Sequence, residues 1–190
     1  MKTKTTSYII CLIVSSIISM CCVCSVQAES LTTEEIKLYT AHPMKALKAK
    51  ECANDALEST KKKYKECVRW LGNGDAYRHA YWSALMTKKI DKDFAWRAGL
   101  AHEGLGTGYN FDEQNDDTKM DIQNNYLGRQ LASSKSSKGL SWVIVNACST
   151  GRLRRILIYS GKKGKNTHKI GGVWMKYVGY YVPTSNGGLK

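Results

Sequence analysis

The chain has 190 residues, of which 29 are Lys or Arg and 16 are Asp or Glu, so its formal net charge is +13. This length supports one domain with a real core, and the absence of an internal repeat or a Pro/Gly/Ser-rich linker argues against a repeat or multidomain protein. The basic balance fits three kinds of partner, namely anionic lipid or a membrane surface, an envelope polymer such as cell wall, and nucleic acid.

The first 28 residues have the pattern of a signal peptide. Two lysines near the start precede Tyr8–Val26, which is apolar or small, and small-residue cleavage after Ala28 fits the sequence. We therefore expect a secreted or periplasmic protein, with residues 29–190 forming a single helical domain. A membrane-spanning helix is the alternative, because the apolar stretch approaches the roughly 20 residues that a bilayer requires.

Capping and periodicity predict the helices. Thr32 and Glu35 form a capping-box pattern that starts a helix, and Pro43 ends or restarts it, because the residue before a proline is pushed away from helical geometry. Helical periodicity then predicts Met44 to about Trp70, Asp75–Lys89, Asp93–Gly104, Met120–Ala132 and Leu140–Ala147. The segment Leu105–Lys119 is rich in Gly, Asp and Asn and is predicted to be an acidic loop.

Three cysteines follow the signal peptide, at positions 52, 67 and 148. In an oxidising compartment we expect a disulfide between Cys52 and Cys67, because these two are close in sequence. On one unbroken helix they would lie about 22 Å apart at 1.5 Å per residue, which is beyond disulfide reach. The bridge therefore predicts a turn between them, at Ser59–Lys63.

The sequence period changes after residue 151. Arg152–Tyr159 is apolar and β-branched with basic residues interleaved, and Ile170–Val182 is rich in Val, Tyr and Trp. Residues from about 152 to 182 are therefore predicted to form a β-hairpin or small antiparallel sheet. The predicted fold class is mainly α, a helical bundle with a small C-terminal antiparallel β-sheet (α+β).

The predicted helix Asp75–Lys89 has polar residues where an apolar stripe would be expected. Four of them share one face at i, i+3, i+4 and i+7, namely Asp75, Arg78, His79 and Trp82. A carboxylate one turn before an imidazole orients the ring and raises its basicity, so Asp75 is the expected orienter of His79. His102 and Glu103 lie on the next predicted helix, which a short connection makes an antiparallel neighbour.

These residues permit two chemical interpretations. In the first, His79 and His102 hold zinc or another divalent metal such as iron, together with one acid, Asp121 or alternatively Glu103, and positions stay open for water and substrate. In the second, which needs no metal, His79 is a general base and His102 or Glu103 is the acid. The expected catalytic set is His79, Asp75, His102 and Glu103.

Further polar residues are candidates for anion binding. Arg78 and Arg129 carry the charge for that role, and Asn124 and Asn125 lie on the same predicted helix face as Arg129. The alternative is a hydrogen-bond network in which Asp121, both asparagines and Arg129 lock three helices together without any chemistry.

The combined motifs resemble an uncharacterised bacterial domain family. They are His42-Pro43, Gly74-Asp-Ala-Tyr-Arg-His-Ala-Tyr-Trp82, His102-Glu103 and Met120-Asp-Ile-Gln-Asn-Asn-Tyr-Leu-Gly-Arg129. Members of that family occur in secreted and wall-associated proteins and at the C-termini of large toxin-like polypeptides. The resemblance covers about Leu38–Ile158 and implies a mostly helical domain, an extracytoplasmic setting and an effector or toxin role. If the protein is such a toxin, we expect an immunity protein as its partner.

A weaker likeness connects Tyr77-Arg78-His79 to the active helix of bacterial secreted phospholipases A2. In those enzymes an aspartate that helps to bind calcium follows the histidine, whereas Ala80 follows here, and the cysteine pattern also differs. These departures argue against calcium binding and phospholipase activity.

The expected function is a secreted hydrolase or toxin-like effector, metal-dependent in the first interpretation, that acts on an anionic envelope or nucleic-acid substrate. The alternative is a non-enzymatic basic protein that binds envelope polymers or anionic lipid in a salt-sensitive way, with the polar helix faces forming a structural network.

Overall fold

The computed structural model describes residues 30–134, 136–160, 167–170 and 173–190. Within them a helical body precedes a small antiparallel sheet, which confirms the predicted fold class. The helices are α1 (Thr33–Ala41), α2 (Pro43–Lys63), α3 (Asn73–Lys89), α4 (Lys92–His102), α5 (Asp116–Leu131) and α6 (Leu140–Ser149), and the strands are β1 (Arg154–Ser160), β2 (Thr167–Ile170) and β3 (Val173–Pro183). Among the described residues, no helix combines the length and apolar character needed to cross a membrane. The predicted signal peptide, residues 1–28, lies outside the described residues.

Local signals place the first two helices where they were predicted. The Thr32 hydroxyl accepts a hydrogen bond from the backbone N–H of Glu35 at 3.0 Å, and the Glu35 carboxylate accepts one from the Thr32 N–H at 2.9 Å. Helix α2 begins with Pro43. A backbone N–H at the first position of a helix has no partner within the helix, so the N–H that proline lacks costs no hydrogen bond there. The Thr32 hydroxyl also donates to the carbonyl of Ala101, so the start of α1 is tied to the end of α4.

Helix α2 shows that the predicted disulfide is wrong. The helix is unbroken to Lys63, so the turn predicted at Ser59–Lys63 does not form, and Cys52 lies about 16 Å along the axis from that end at 1.5 Å per residue. Cys67 follows in a short 3₁₀ turn, Glu66–Val68. Both cysteines are free thiols, with Cys52 buried in the helical core and Cys67 half-buried. The continuous helix keeps Cys52 away from the turn that carries Cys67.

Helix α3 is the centre of the helical body and contacts α2, α4, α5 and α6. The small side chains of Ala76, Ala80 and Ala84 are completely buried, which lets neighbouring helices approach α3 closely. Gly128 of α5 lies directly against the backbone of Ala80, where an added Cβ would collide with the Ala80 carbonyl oxygen. This close packing brings the polar faces of α3 and α5 together.

The sheet has the strand order β1-β3-β2, and both strand pairs are antiparallel. It is attached to the helices through Asn124 of α5, which donates to the Arg154 carbonyl at 2.9 Å and accepts from the Arg154 N–H at 2.8 Å. Leu153 and Ile156 are buried at the same junction. The sheet therefore continues the helical core at the C-terminal end of the chain.

Candidate functional site

A cavity of about 460 Å³ lies among the first turn of α1, the start of α3, the end of α4 and the first turns of α5. Most of its lining is polar: Ser30, Leu31, Thr32, Glu35, Trp70, Asp75, Arg78, His79, His102, Glu103, Asp117 and Asp121. All four residues that we expected to be catalytic are in this set. The side chains that we expected three helices to contribute to one site therefore lie in the same open cavity.

His79 is almost completely buried in this cavity, with 1% of its surface exposed. Arg78 donates to its Nε2 at 2.7 Å, and the same nitrogen lies 3.4 Å from Asp121 Oδ1 and 3.6 Å from Asp75 Oδ1. Since Nε2 accepts from an arginine, the ring proton belongs on Nδ1, which has no hydrogen-bond partner in the described part of the chain. Burial, with the charges of Arg78 and His102, lowers the pKa of His79 well below 6.5, so the ring is neutral near pH 7.

Asp75 lies beside His79, as the spacing predicts, but its hydrogen bonds go elsewhere. Its Oδ1 accepts from Arg78 at 2.8 and 3.1 Å, and its Oδ2 accepts from the backbone N–H of Leu71 at 2.7 Å. Asp75 thus positions the Arg78 guanidinium and the chain that enters α3. Its role as the orienter of the imidazole stays a prediction.

Two carboxylates, Glu103 and Asp121, crowd the His79 ring. One potential ligand atom from each of these three residues lies within 4.8 Å of the other two. Burial raises the pKa of Glu103 to about 7 despite the opposing charge of His102. Burial and the charges of Asp75 and Glu103 raise the pKa of Asp121 well above 3.8. Burial is the first cause of both shifts, because a buried carboxylate loses hydration, and the charges of neighbouring acids add to it.

His102 was predicted to be a metal ligand with His79 and Asp121, but its side chain has a different partner. Its Nδ1 is 3.0 Å from Glu35 Oε1, and its ring centroid is 5.8 Å from that of His79. Burial alone would lower the pKa of His102, but the hydrogen bond and charge of Glu35 outweigh burial and raise it. The structure therefore places Glu103, rather than His102, in the ligand cluster, with His102 beside that cluster as the partner of Glu35.

The predicted anion-binding residues divide between different places. Arg78 lines the cavity, whereas Asn124 connects α5 to β1. Asn125 is buried against α4, where a Cβ added to Gly99 would lie 3.1 Å from its amide nitrogen. Arg129 lines a second cavity, described below. For Asn124, these hydrogen bonds favour the network interpretation over anion binding. The amide atoms of Asn125 are buried and have no hydrogen-bond partner among the described residues, so its contacts support neither interpretation.

Two of the five acidic residues that line the cavity, Glu35 and Asp117, were not among the predicted site residues. Glu35 was assigned to the capping box, and it does accept from the Thr32 N–H, but its second oxygen reaches His102. An acid at this position of a helix is fully explained by its local role, so no sequence signal indicated the contact with a histidine 67 residues away. Asp117 belongs to the segment Leu105–Lys119, which was predicted to be an acidic loop, but in the structure this residue lies in the first turn of α5.

Comparison with known proteins identifies the family without identifying an activity. The family model described as a domain of unknown function, DUF6973, matches residues 36–152, which is more than half of the chain and includes all six helices except the start of α1. This agrees with the resemblance to an uncharacterised domain family over Leu38–Ile158. No curated protein and no solved structure matches the chain. The chain therefore belongs to the family of the domain of unknown function DUF6973.

Proposed function

We propose that the protein is a metal-dependent hydrolase whose active centre is the cavity around His79. The observation that carries this proposal is the cluster of His79, Glu103 and Asp121, whose potential ligand atoms lie within 4.8 Å of one another. One imidazole and two carboxylates suit zinc or another divalent ion, and three protein ligands leave a position for water. When bound, such an ion would activate water for attack near neutral pH and polarise the bond to be cleaved.

The charges of the cavity support a cation at this cluster. Five carboxylates and one arginine line the cavity, within a chain whose net charge is +13. Both clustered carboxylates have raised pKa values because of burial and the charges of neighbouring acids, and a divalent ion would offset those charges. The His79 ring is neutral, as a metal ligand must be, and an ion at Nε2 would replace the hydrogen bond that Arg78 donates there. Metal binding thus gives the buried acids the partner that their own surroundings lack.

The same charges support a proposal for the substrate class. An anionic substrate would be repelled by the bare carboxylates, but a bound divalent ion would attract it and so would Arg78, whose side chain is 33% exposed. We therefore propose an anionic envelope polymer or nucleic acid as the substrate and an extracytoplasmic site of action. A toxin-like effector role, with an immunity protein as partner, is compatible with this activity.

The first test is elemental analysis of the purified protein before and after chelation, followed by a screen for hydrolysis of a chromogenic phosphodiester, single-stranded DNA and cell wall. We expect about one equivalent of zinc or a similar ion, and activity that disappears on chelation and returns when that ion is added back. The variants Asp121→Asn and His79→Ala should lose both the ion and the activity. Glu113→Gln, an exposed residue outside the cavity, is the matched control for loss of one acid.

Absence of metal binding in a folded protein would refute this proposal. Metal binding that survives both Asp121→Asn and His79→Ala would place the ion elsewhere. If neither metal nor activity is found, the polar residues of the cavity form a structural network, and the alternative function, salt-sensitive binding to anionic polymers, takes precedence.

A further inference from the structure

A second cavity, of about 400 Å³, lies between α4, α5 and the connection that joins them, residues 103–115. Its walls carry aromatic rings from three segments: Trp96 from α4, Tyr109 and Phe111 from the connection, and Tyr126 from α5. Arg129 and Gln123 are the polar side chains of its helical wall. This lining differs from that of the first cavity, which is dominated by carboxylates.

Arg129 is the informative residue of the second cavity because it is a buried cation without an anion. Its surface is 9% exposed, and within the described part of the chain its guanidinium makes no hydrogen bond and no ion pair. The carbon at the centre of its guanidinium lies 5.9 Å from the centre of the Tyr126 ring. Burial lowers the pKa of Arg129, and the phenols of Tyr109 and Tyr126 oppose that effect, with no carboxylate among the groups that act on it. Buried charges are normally paired, so an anion that entered the cavity would give this guanidinium the partner that the described residues do not supply.

The aromatic walls indicate what the anion is attached to. Flat rings bind the faces of flat rings, and an arginine fork is matched to phosphate oxygens. A saturated sugar has hydroxyl groups all round, and each buried hydroxyl needs a partner. The cavity offers few of these, since Gln123 and the tyrosine hydroxyls are its main uncharged hydrogen-bonding groups. A nucleobase, whose faces need no hydrogen bonds, fits the lining better than a sugar of an envelope polymer.

We propose that the cavity around Arg129 binds one nucleotide unit of a single-stranded nucleic acid, with the phosphate on the guanidinium and the base against the aromatic rings. Lys119 supplies further positive charge nearby, since its Nζ lies 5.8 Å from the centre of the Phe111 ring. This binding does not depend on the hydrolase activity proposed above, because none of the three clustered ligand residues lines the second cavity.

The test measures binding of the full chain to a fluorescent hexadeoxyadenylate by anisotropy, in EDTA so that the metal-dependent activity is silent. A linear polyphosphate of equal charge is the competitor that has phosphates but no bases. We expect the wild-type protein to bind the oligonucleotide at least tenfold more tightly than the polyphosphate, since one stacked base contributes about that factor. Arg129→Gln should weaken oligonucleotide binding at least tenfold, whereas Arg97→Gln, which removes the same charge from α4 outside the cavity, should change it less than twofold.

A second variant protects the test against misfolding. Tyr126 is 56% exposed, so Tyr126→Ala removes one wall of the cavity without opening the core, and it should weaken oligonucleotide binding several-fold. Equal effects of Arg129→Gln and Arg97→Gln would overturn the proposal, because the binding would then depend on net charge alone. Polyphosphate binding as tight as that of the oligonucleotide, or unchanged binding by Tyr126→Ala, would overturn it as well and would favour an envelope polymer.

Discussion

Glu103 makes the stability of the metal-free protein depend on pH in a way that can be calculated. Burial raises its pKa from the ordinary value of 4.5 to about 7, so the folded state holds this proton more tightly than the unfolded state does. The contribution to stability is fully present below about pH 4.5 and is lost as the pH rises to about 7. At about 1.4 kcal/mol for each tenfold change in proton affinity, the loss is about 3 kcal/mol.

The assay is urea unfolding of the wild-type protein and the Glu103→Gln variant in EDTA, at intervals from pH 4 to pH 8. The variant cannot ionise at this position, so the free energy of unfolding of the wild type should fall relative to it by about 3 kcal/mol between pH 4.5 and 7. Glu113→Gln, in the exposed part of the same connection, should follow the wild type throughout. Parallel curves for wild type and Glu103→Gln would refute the reasoning, because they would show that Glu103 is solvated and ionises normally.

Three further perturbations test particular contacts. Asn124→Ala removes two hydrogen bonds to the backbone of β1 and should lower the free energy of unfolding by about 2–4 kcal/mol, and a loss under 1 kcal/mol would show that the sheet does not depend on it. In thiol titration of the native protein, Cys67 should react while Cys52 reacts only after unfolding, and a disulfide would leave both unreactive in either state. Glu35→Gln should lower the pKa of His102, which an NMR titration measures, and an unchanged His102 pKa would contradict the pairing. The variant should also lose the stability that the pair contributes. That contribution is greatest between about pH 4.5 and 6.5, because Glu35 is ionised and the imidazole is protonated there in both the folded and the unfolded state.

Helices were predictable from the sequence wherever a signal lay within a few residues of the feature it determines. The capping box at Thr32 and the proline at position 43 gave the start of α1 and the break before α2. The start of α5 was missed because its first turn is acidic and resembles a loop. Asn115 accepts from the backbone N–H of Thr118, and the acids that follow, Asp116 and Asp117, are favourable at the positive end of a helix.

The disulfide prediction failed for the opposite reason. Two cysteines that are close in sequence need not be close in space, because a helix converts their separation in sequence into distance along its axis. The charged run at the end of α2, including Lys61, Lys62 and Lys63, continues the helix instead of breaking it. The expected secretion into an oxidising compartment favoured a disulfide between Cys52 and Cys67, and the secretion signal itself stays a prediction.

The residues that line the cavity could be predicted only in part, because the lining depends on the angles at which the helices pack. Asp75 lies close to His79 because the two residues are one helical turn apart on α3. Asp121 lies close to His79 because Gly128 lets α5 approach α3 closely. Arg129 was expected in the same site, but it lies eight residues after Asp121 on α5, which is about 12 Å along the helix axis. That distance carries it past the first cavity and into the second.

The same distance bears on how the two proposed sites relate to each other. The cavity around His79 calls for a cation and the cavity around Arg129 calls for an anion, and both are bordered by α4 and α5. A substrate that occupies both must span about 12 Å, the axial separation of Asp121 and Arg129 at 1.5 Å per residue. A strand of several nucleotides meets that requirement, whereas a single phosphate bound at the metal does not reach Arg129.

If one substrate uses both sites, Arg129→Gln should therefore slow the hydrolysis of a hexanucleotide while leaving that of a small chromogenic phosphodiester unchanged. Equal loss for both substrates would mean that Arg129 supports the fold of the active centre rather than the binding of a longer chain.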